Sequence, residues 1–367
     1  MIPFRTGMLV SGKDFCPRKQ ELEHLRELIG SAGRVYVVGE RRIGKTSLIA
    51  EAVRLTKKIH PVFIDLMAVK DIEDLTHRLG EALIREEKNQ SRMISLLKGL
   101  GALRPSLSFD SLTGSTSVTF APGSGTRIET LNDLFDTISN FNRPVVVFDE
   151  FQDLLNLRDS HRIIAKLRSL IQQQQNTSFI FCGSIRNRME EIFTEEDSPF
   201  FNAAVRLQVG PLKHNLFRTF LQKRFLQGER TLSDEQLDSI MDACHQNPGH
   251  IQRFCISLWQ ATSHDTLISE KDVVTAWSLL FAMQKDSYEM ILTTLSPQQA
   301  RVLKALAHTG GESTLSSEFI ASTGITLAPS VRKAMTKLLD RRLVQKKGSR
   351  YLFCDPFLAA WLRLKPI

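Results

Sequence analysis

The residues Gly39-Glu40-Arg41-Arg42-Ile43-Gly44-Lys45-Thr46 have the types and spacing of a phosphate-cradling loop, Gly-x4-Gly-Lys-[Ser/Thr]. Val35-Tyr36-Val37-Val38 before them reads as a buried strand, and Ser47-Leu48-Ile49-Ala50-Glu51-Ala52-Val53 after them as the start of a helix. Glycines let the backbone close around phosphate oxygens with successive N–H groups turned inward, and a helix N-terminus adds about half a positive charge. Residues 39–47 are therefore candidates to hold a nucleotide. Lys45 would reach the β- and γ-phosphates, and the Thr46 hydroxyl would bind Mg²⁺.

A second apolar run, Pro144-Val145-Val146-Val147-Phe148, ends in two carboxylates, Asp149 and Glu150. Buried parallel strands have this composition, and ligands of open α/β sheets sit at strand C-termini. Asp149 is placed to hold Mg²⁺, and Glu150 to orient or polarise an attacking water. A third run, Thr177-Ser178-Phe179-Ile180-Phe181-Cys182-Gly183, ends in Ser184, a candidate to sense the γ-phosphate. Lys45, Asp149, Glu150 and Ser184 are the candidate catalytic set. Arg186 and Arg188 follow closely.

These runs need a sheet to align them. Further strands are expected at Pro61–Leu66 and Ala203–Leu212, and helices at about Ile72–Lys98, Glu129–Phe141 and Arg162–Gln175. The fold expected is α/β, a P-loop domain with a parallel sheet flanked by helices over residues 1–212. Within it, the Ser/Thr/Gly-rich segment 103–125 reads as an inserted β-hairpin. Apolar residues at helical spacing mark 213–285 as helical throughout, a lid: Phe217, Phe220, Leu221 and Phe225, then Leu237, Ile240 and Met241, then Ile251, Phe254, Cys255, Leu258 and Trp259.

From residue 290 to 367 the pattern is three helices, the last running from Leu327 to Arg341, and a hairpin at Leu343–Phe353: a winged helix. The net charge of +8 is carried wholly from Ser296 onward, where 12 Lys and Arg face 4 Asp and Glu. An anionic partner is implied for this segment. Duplex DNA would meet Arg332, Lys333 and Lys337 on the third helix, and Lys346, Lys347 and Arg350 on the wing. A winged helix that binds protein or holds the lid shut fits the same pattern.

No run of about 18 apolar residues exists, so no membrane span is expected. The N-terminus lacks the apolar core of a signal peptide. The five cysteines are scattered, without zinc spacing. A cytoplasmic protein with reduced thiols is expected.

The chain from about Gly7 onward resembles the archaeal-type ATPase family, of the STAND branch of AAA+ proteins. The resemblance rests on Phe15-x2-Arg18-x2-Glu21-Leu22, the Arg41-Arg42 pair within the loop, Asp149-Glu150-Phe151-Gln152, Gly183-Ser184, and Asp355-Pro356-Phe357-x3-Trp361. It implies a nucleotide-controlled switch with ATP and Mg²⁺ as cofactors. Phe15, Pro17 and Pro248 would then contact adenine. The layout is similar to that of initiators and transposition ATPases that load on DNA, so an ATP-dependent DNA-binding regulator is expected. A signalling or defence switch, or a module that holds nucleotide without turnover, are the alternatives. A homo-oligomer or a separate effector protein is compatible with each. Two positions depart from the family. Ala203 stands where an arginine acting on a neighbour's nucleotide is usual, so hydrolysis is expected to be slow. The lid motif reads His245-Gln246-Asn247-Pro248, with no arginine at the lid's usual sensor position and only His250 nearby.

Overall fold

Valine, isoleucine and phenylalanine in unbroken runs form strands buried on both faces. The computed structural model describes residues 2–85, 105–109, 116–120, 128–184, 186–314 and 316–365. Contacts divide the chain into two units: Met8–Gly210, and Met1–Gly7 with Pro211–Ile367.

In Met8–Gly210 the order is helix α1 (Lys19–Gly30), β1 (Arg34–Val38), α2 (Lys45–Leu55), β2 (His60–Asp65), α3 (Ile72–Arg85), β3 (Pro105–Phe109) and β4 (Thr116–Phe120). There follow α4 (Thr130–Ser139), β5 (Pro144–Asp149), a 3-10 turn (Phe151–Asn156), α5 (Ser160–Gln173), β6 (Ser178–Gly183), α6 (Arg186–Thr194) and β7 (Val205–Gln208). Five strands make one sheet in the order β2-β5-β6-β1-β7, with every pairing parallel. Alternation along the strands builds two cores. Val35, Val37, Val145, Val147 and Ile180 face Leu25, Ile29, Leu48 and Ile49 of α1 and α2. Tyr36, Val38, Val146, Phe148, Phe179 and Phe181 face the other helices, including Leu79, Leu134 and Leu167. The expected α/β architecture is present.

The expected inserted hairpin falls on β3 and β4, which pair antiparallel from Pro105↔Phe120 to Phe109↔Thr116. The turn between them and the rest of segment 103–125 lie outside the described residues, as do residues 86–98 of the helix expected to run to Lys98. The expected fifth strand, Ala203–Leu212, pairs only over Val205–Gln208. Ala203 N–H instead donates to Phe200 O at 2.9 Å in the preceding turn, and Val209 N–H donates to Val38 O at 2.8 Å.

The second unit contains α7 (His214–Leu226), β8 (Arg230–Thr231), α8 (Asp234–Ala243), α9 (Pro248–Ala261), β9 (Thr266–Leu267), α10 (Glu270–Thr293), α11 (Pro297–Thr309), α12 (Ser317–Ser322), α13 (Ala328–Asp340), β10 (Val344–Lys347), β11 (Arg350–Phe353) and α14 (Pro356–Arg363). The region expected to be helical throughout includes the short parallel pair β8 and β9. Buried Arg230 fixes this pair by donating to Thr262 Oγ1 and Thr262 O at 2.9 and 2.7 Å, with its guanidinium 3.8 Å over the Trp259 ring. Helix α10 is continuous across residues 285–290, between the stretches expected to form lid and winged helix. Ser269 begins it with a capping box, and another at Ser296 begins α11.

The winged helix is fastened to the lid by residues 355–361. Asp355 caps α14, accepts from Tyr288 Oη of α10 at 3.2 Å, and lies 3.8 Å from Arg253 of α9. The Phe357 ring sits 5.6 Å from His250 and 5.7 Å from Trp277. Phe4, in the N-terminal piece of this unit, packs 4.8 Å from Phe225 and 6.1 Å from Trp259.

Candidate functional site

Strand β6 lies between β5 and β1. Their C-terminal tips therefore bring together the Gly39–Thr46 loop, Asp149 with Glu150, and Ser184. After β1 the chain crosses to β2 at the far edge, while β7 lies on β1's other side. Ligands of open parallel sheets sit at the strand ends where the order changes direction in this way.

The loop leaves β1 at Gly39, where an added Cβ would lie 2.4 Å from Val209 O, so only glycine fits. Gly44 has φ +99°, and Leu48 N–H donates to its carbonyl at 2.9 Å to start α2. Ile43 is buried between these points and anchors the loop to the core. Lys45 is buried, and its Nζ donates to the carbonyls of Gly39 and Glu40, both at 3.0 Å. Arg41 and Arg42 are exposed.

Thr46 Oγ1 donates to Asp149 Oδ2 at 3.0 Å. Burial pushes the Asp149 carboxyl above its ordinary value of 3.8, hydrogen bonds from Cys182 and Thr46 pull the other way, and Glu150 pushes up again. The Cys182 thiol is held far above its usual range by burial and then by Asp149, so it acts as a neutral donor. A hydroxyl beside a half-buried carboxylate is a hard-oxygen pair suited to Mg²⁺, which would also neutralise the carboxylate's charge. Among the described residues no three His, Cys, Asp or Glu cluster to hold a metal by themselves. A cation here would complete its shell with phosphate and water.

Glu150 has φ +52°, a left-handed conformation that turns its side chain away from the strand's alternation. Its Oε2 accepts from Ser184 Oγ at 2.8 Å, Ser184 N at 3.3 Å and Gln152 Nε2 at 2.5 Å. Gln152 is buried, and its Oε1 has no hydrogen-bond partner among the described residues. A Cβ on Gly183 would lie 2.3 Å from that oxygen and 2.4 Å from Met189 Cγ, so the glycine before Ser184 leaves room for Gln152.

Arg18 has a place that its spacing alone did not disclose. It is buried, and its guanidinium donates to Ile43 O of the loop at 2.8 Å and to Gly210 O at 2.7 Å, with Glu21 at 3.6 Å. Phe15 is buried in the core with Ile43 and Leu48, whereas Pro17 is exposed. Arg188 donates to Asn156 Oδ1 at 2.7 Å, and Arg206 pairs with Glu190 at 3.0 Å.

Two expected residues lie in the other unit. Pro248 occupies the first turn of α9 behind the Asn247 cap. His250 is buried against Phe357. In the winged helix all six candidate DNA-binding residues are exposed. Arg332, Lys333 and Lys337 lie on α13 opposite the buried Val331, Met335 and Leu338. Lys346, Lys347 and Arg350 flank the two-residue wing turn at Gly348-Ser349. Arg350 is tied back, with Nε donating to Gly310 O at 2.9 Å and Nη1 3.6 Å from Glu312, and Lys337 pairs with Asp340 at 3.3 Å.

Fold and loop together define a P-loop ATPase with a C-terminal winged helix. The chain belongs to the family described as the ATPase domain predominantly from Archaea, whose model matches residues 15–254. Residues 286–364 match the family described as "Probable winged helix domain". Among solved structures, a Walker-type ATPase of Pyrococcus abyssi is similar at 19% identity and a TM-score of 0.69, covering 98% of this chain and 99% of that one. The Aeropyrum pernix ORC2 protein in its ADPNP–ADP complexes is similar at 16% identity, TM-score 0.54, over 96% and 95%. The Aeropyrum pernix ORC1 protein in complex with DNA is similar at 14% identity, TM-score 0.51, over 97% and 94%. No curated protein matches the chain. Among the described residues no helix is long and apolar enough to cross a membrane.

Proposed function

We propose that this protein is a Mg²⁺-dependent, slowly hydrolysing ATPase that works as a nucleotide-controlled switch and binds duplex DNA through its winged helix. The observation carrying the reading is the meeting, at the tips of β1, β5 and β6, of the phosphate loop, the Thr46–Asp149 pair and the Glu150–Ser184 pair. Residues 39–47 cradle the phosphates, with Lys45 on the β- and γ-oxygens. Thr46 and Asp149 take Mg²⁺, which supplies charge neutralisation at the transferred phosphoryl group. Glu150 orients the attacking water, and Ser184 reports the γ-phosphate to it. Phe15 and Pro17 are the proposed adenine contacts of this unit.

Slow turnover is supported by Glu150 itself, whose Oε2 already accepts three donors. Ala203 at the family's arginine position points the same way, because an arginine finger contributes about 10³–10⁵ in rate where one operates. DNA binding is supported by the concentration of the whole net charge after Ser296 and by the exposed cations on α13 and the wing. The similar ORC1 protein, solved in complex with DNA, supports it too. The Asp355 and Phe357 contacts join winged helix to lid in one unit, so a nucleotide-driven change in lid angle would carry the winged helix with it. ATP would shift that equilibrium only by its differential affinity for the two states.

The test is steady-state ATP turnover with and without duplex DNA, with Lys45→Ala as the blank. A low basal rate that rises several-fold with duplex is expected. A rate above the blank that ignores duplex would remove the DNA-coupled reading and leave a switch whose winged helix binds protein. A rate equal to the blank in both conditions would leave a module that holds nucleotide without turnover.

A further inference from the structure

Helix α8 ends and α9 begins through two consecutive non-glycine residues in the left-handed region, His245 at φ +53° and Gln246 at φ +56°. Their N–H groups close the end of α8 on Asp242 O at 2.9 Å and Met241 O at 2.8 Å. Two glycines would make this turn without the strain that His245 and Gln246 carry. Both line a cleft of about 520 Å³ within the lid and winged-helix unit, inside the range of about 300–1,000 Å³ typical of small-molecule sites.

The opposite walls carry Lys347 and Arg350 of the wing, Arg363 of α14 and Trp277 of α10. Each guanidinium is anchored by its Nε, Arg363 to Ala307 O at 2.7 Å and Arg350 to Gly310 O at 2.9 Å, while Arg350 Nη1 stands 3.6 Å from the exposed Glu312. That fixes where the remaining N–H donors stand, as suits an oxyanion. Asp242, the acidic residue on the wall, accepts from Gln246 Nε2 at 2.7 Å. The indole of Trp277 packs 4.7 Å from Phe254 and 5.7 Å from Phe357, which holds it rigidly at the cleft wall. Fixed cations beside a fixed aromatic wall recognise a phosphate carried on a flat ring.

We infer that this cleft is a second ligand site, separate from the phosphate loop, for a small aromatic phosphate of mononucleotide size. The same chemistry could be offered by a free mononucleotide or by a nucleotide within duplex DNA lying along the wing. The reach of its wall from the wing back to His245 favours the free molecule.

Calorimetric titration with 1-naphthyl phosphate tests the inference, since this probe lacks the ribose and diphosphate that a phosphate loop grips. Saturable binding at or below about 1 mM is expected, equally in the wild type and in Lys45→Ala. The pair His245→Gly with Gln246→Gly should weaken it about tenfold or more while Tm stays equal or rises, because the turn is relieved of strain. Lys347→Gln, an exposed change outside the turn, should weaken it as well, and inorganic phosphate should bind less tightly than the probe. No saturation in the wild type, unchanged affinity in both variants, or loss of binding in Lys45→Ala would each overturn the site. So would a cleft whose variants alter affinity only for a duplex lacking terminal phosphates, which would make it part of the DNA surface.

Discussion

Ser184 and Glu150 meet across the tips of two neighbouring strands, the serine hydroxyl donating to the carboxylate at 2.8 Å, with Gln152 closing on the same oxygen. If Ser184 senses the γ-phosphate, a change there is thereby a change in the environment of Glu150. If Glu150 is the group that polarises water, Glu150→Gln should lower kcat by about 10²–10⁴. Ser184→Ala removes one hydrogen bond to a charged group, worth about 1.5–3 kcal/mol, so a loss of about ten- to a hundredfold is expected. Gln152→Glu is the more discriminating change. It replaces a donor to Glu150 with a second carboxylate, and the like-charge repulsion should lower kcat by more than Ser184→Ala does, with little change in KM. Steady-state turnover of the three variants checks this ranking, and a kcat in Gln152→Glu equal to that of the wild type would remove Glu150 from the role.

Asp149 gives a prediction with a definite sign. Its carboxyl is pushed above 3.8 chiefly by burial, so the folded chain binds the Asp149 proton more tightly than the unfolded chain does. Its contribution to stability is therefore fully present below 3.8 and is lost as pH rises through the higher folded value. Asp149→Asn keeps a side-chain oxygen for Thr46 and carries no charge. The variant should gain in Tm relative to the metal-free wild type as pH rises from about 4 toward neutrality, while Mg²⁺-dependent turnover falls to the Lys45→Ala blank. Added Mg²⁺ with nucleotide should raise Tm in the wild type and much less in the variant. Thermal melts across pH, with and without Mg²⁺–nucleotide, read both effects. A Tm difference that shrinks on raising pH would contradict the assignment.

The strands that carry the site were legible because burial on both faces demands unbroken apolar runs, and their charged ends then stand out. Val145 to Phe148 followed by Asp149-Glu150 is the clear case. Other features rest on long-range geometry that local pattern does not encode. Arg18 is one: its spacing within Phe15-x2-Arg18-x2-Glu21-Leu22 was visible, but not that it would span from Ile43 O to Gly210 O. Gln152 is another, since φ +52° at Glu150 is what turns the carboxylate back onto the glutamine. The pairing of β8 with β9 was hidden for a different reason. Two residues on each side are too few to impose a strand period between helices. Helix α10 runs on through the exposed Lys285, Asp286 and Ser287 because Leu280 and Tyr288 on the far side hold it in the core.

The six basic candidates of the winged helix are not equivalent, and their contacts separate them. Arg332 and Lys333 project from the exposed face of α13, whereas Arg350 is committed to Gly310 O and Glu312. An Arg350 side chain engaged in this way holds the wing against the turn after α11. There Gly311 lies so close to the wing that an added Cβ would fall 1.8 Å from Tyr351 O. Arg332→Glu with Lys333→Glu should thus leave stability within about 0.5 kcal/mol of the wild type, as surface changes do. If both residues contact phosphates, the slope of log K for duplex against log salt should fall by about 2. Arg350→Ala should lower Tm, because it strips the Gly310 carbonyl of its donor and loosens the wing, and should change the salt slope by less than one contact's worth. Fluorescence anisotropy of a labelled duplex across a salt series, with a melt on each variant, separates the two roles. An unchanged slope in the double-glutamate variant would place the partner of this surface elsewhere than on a phosphate backbone.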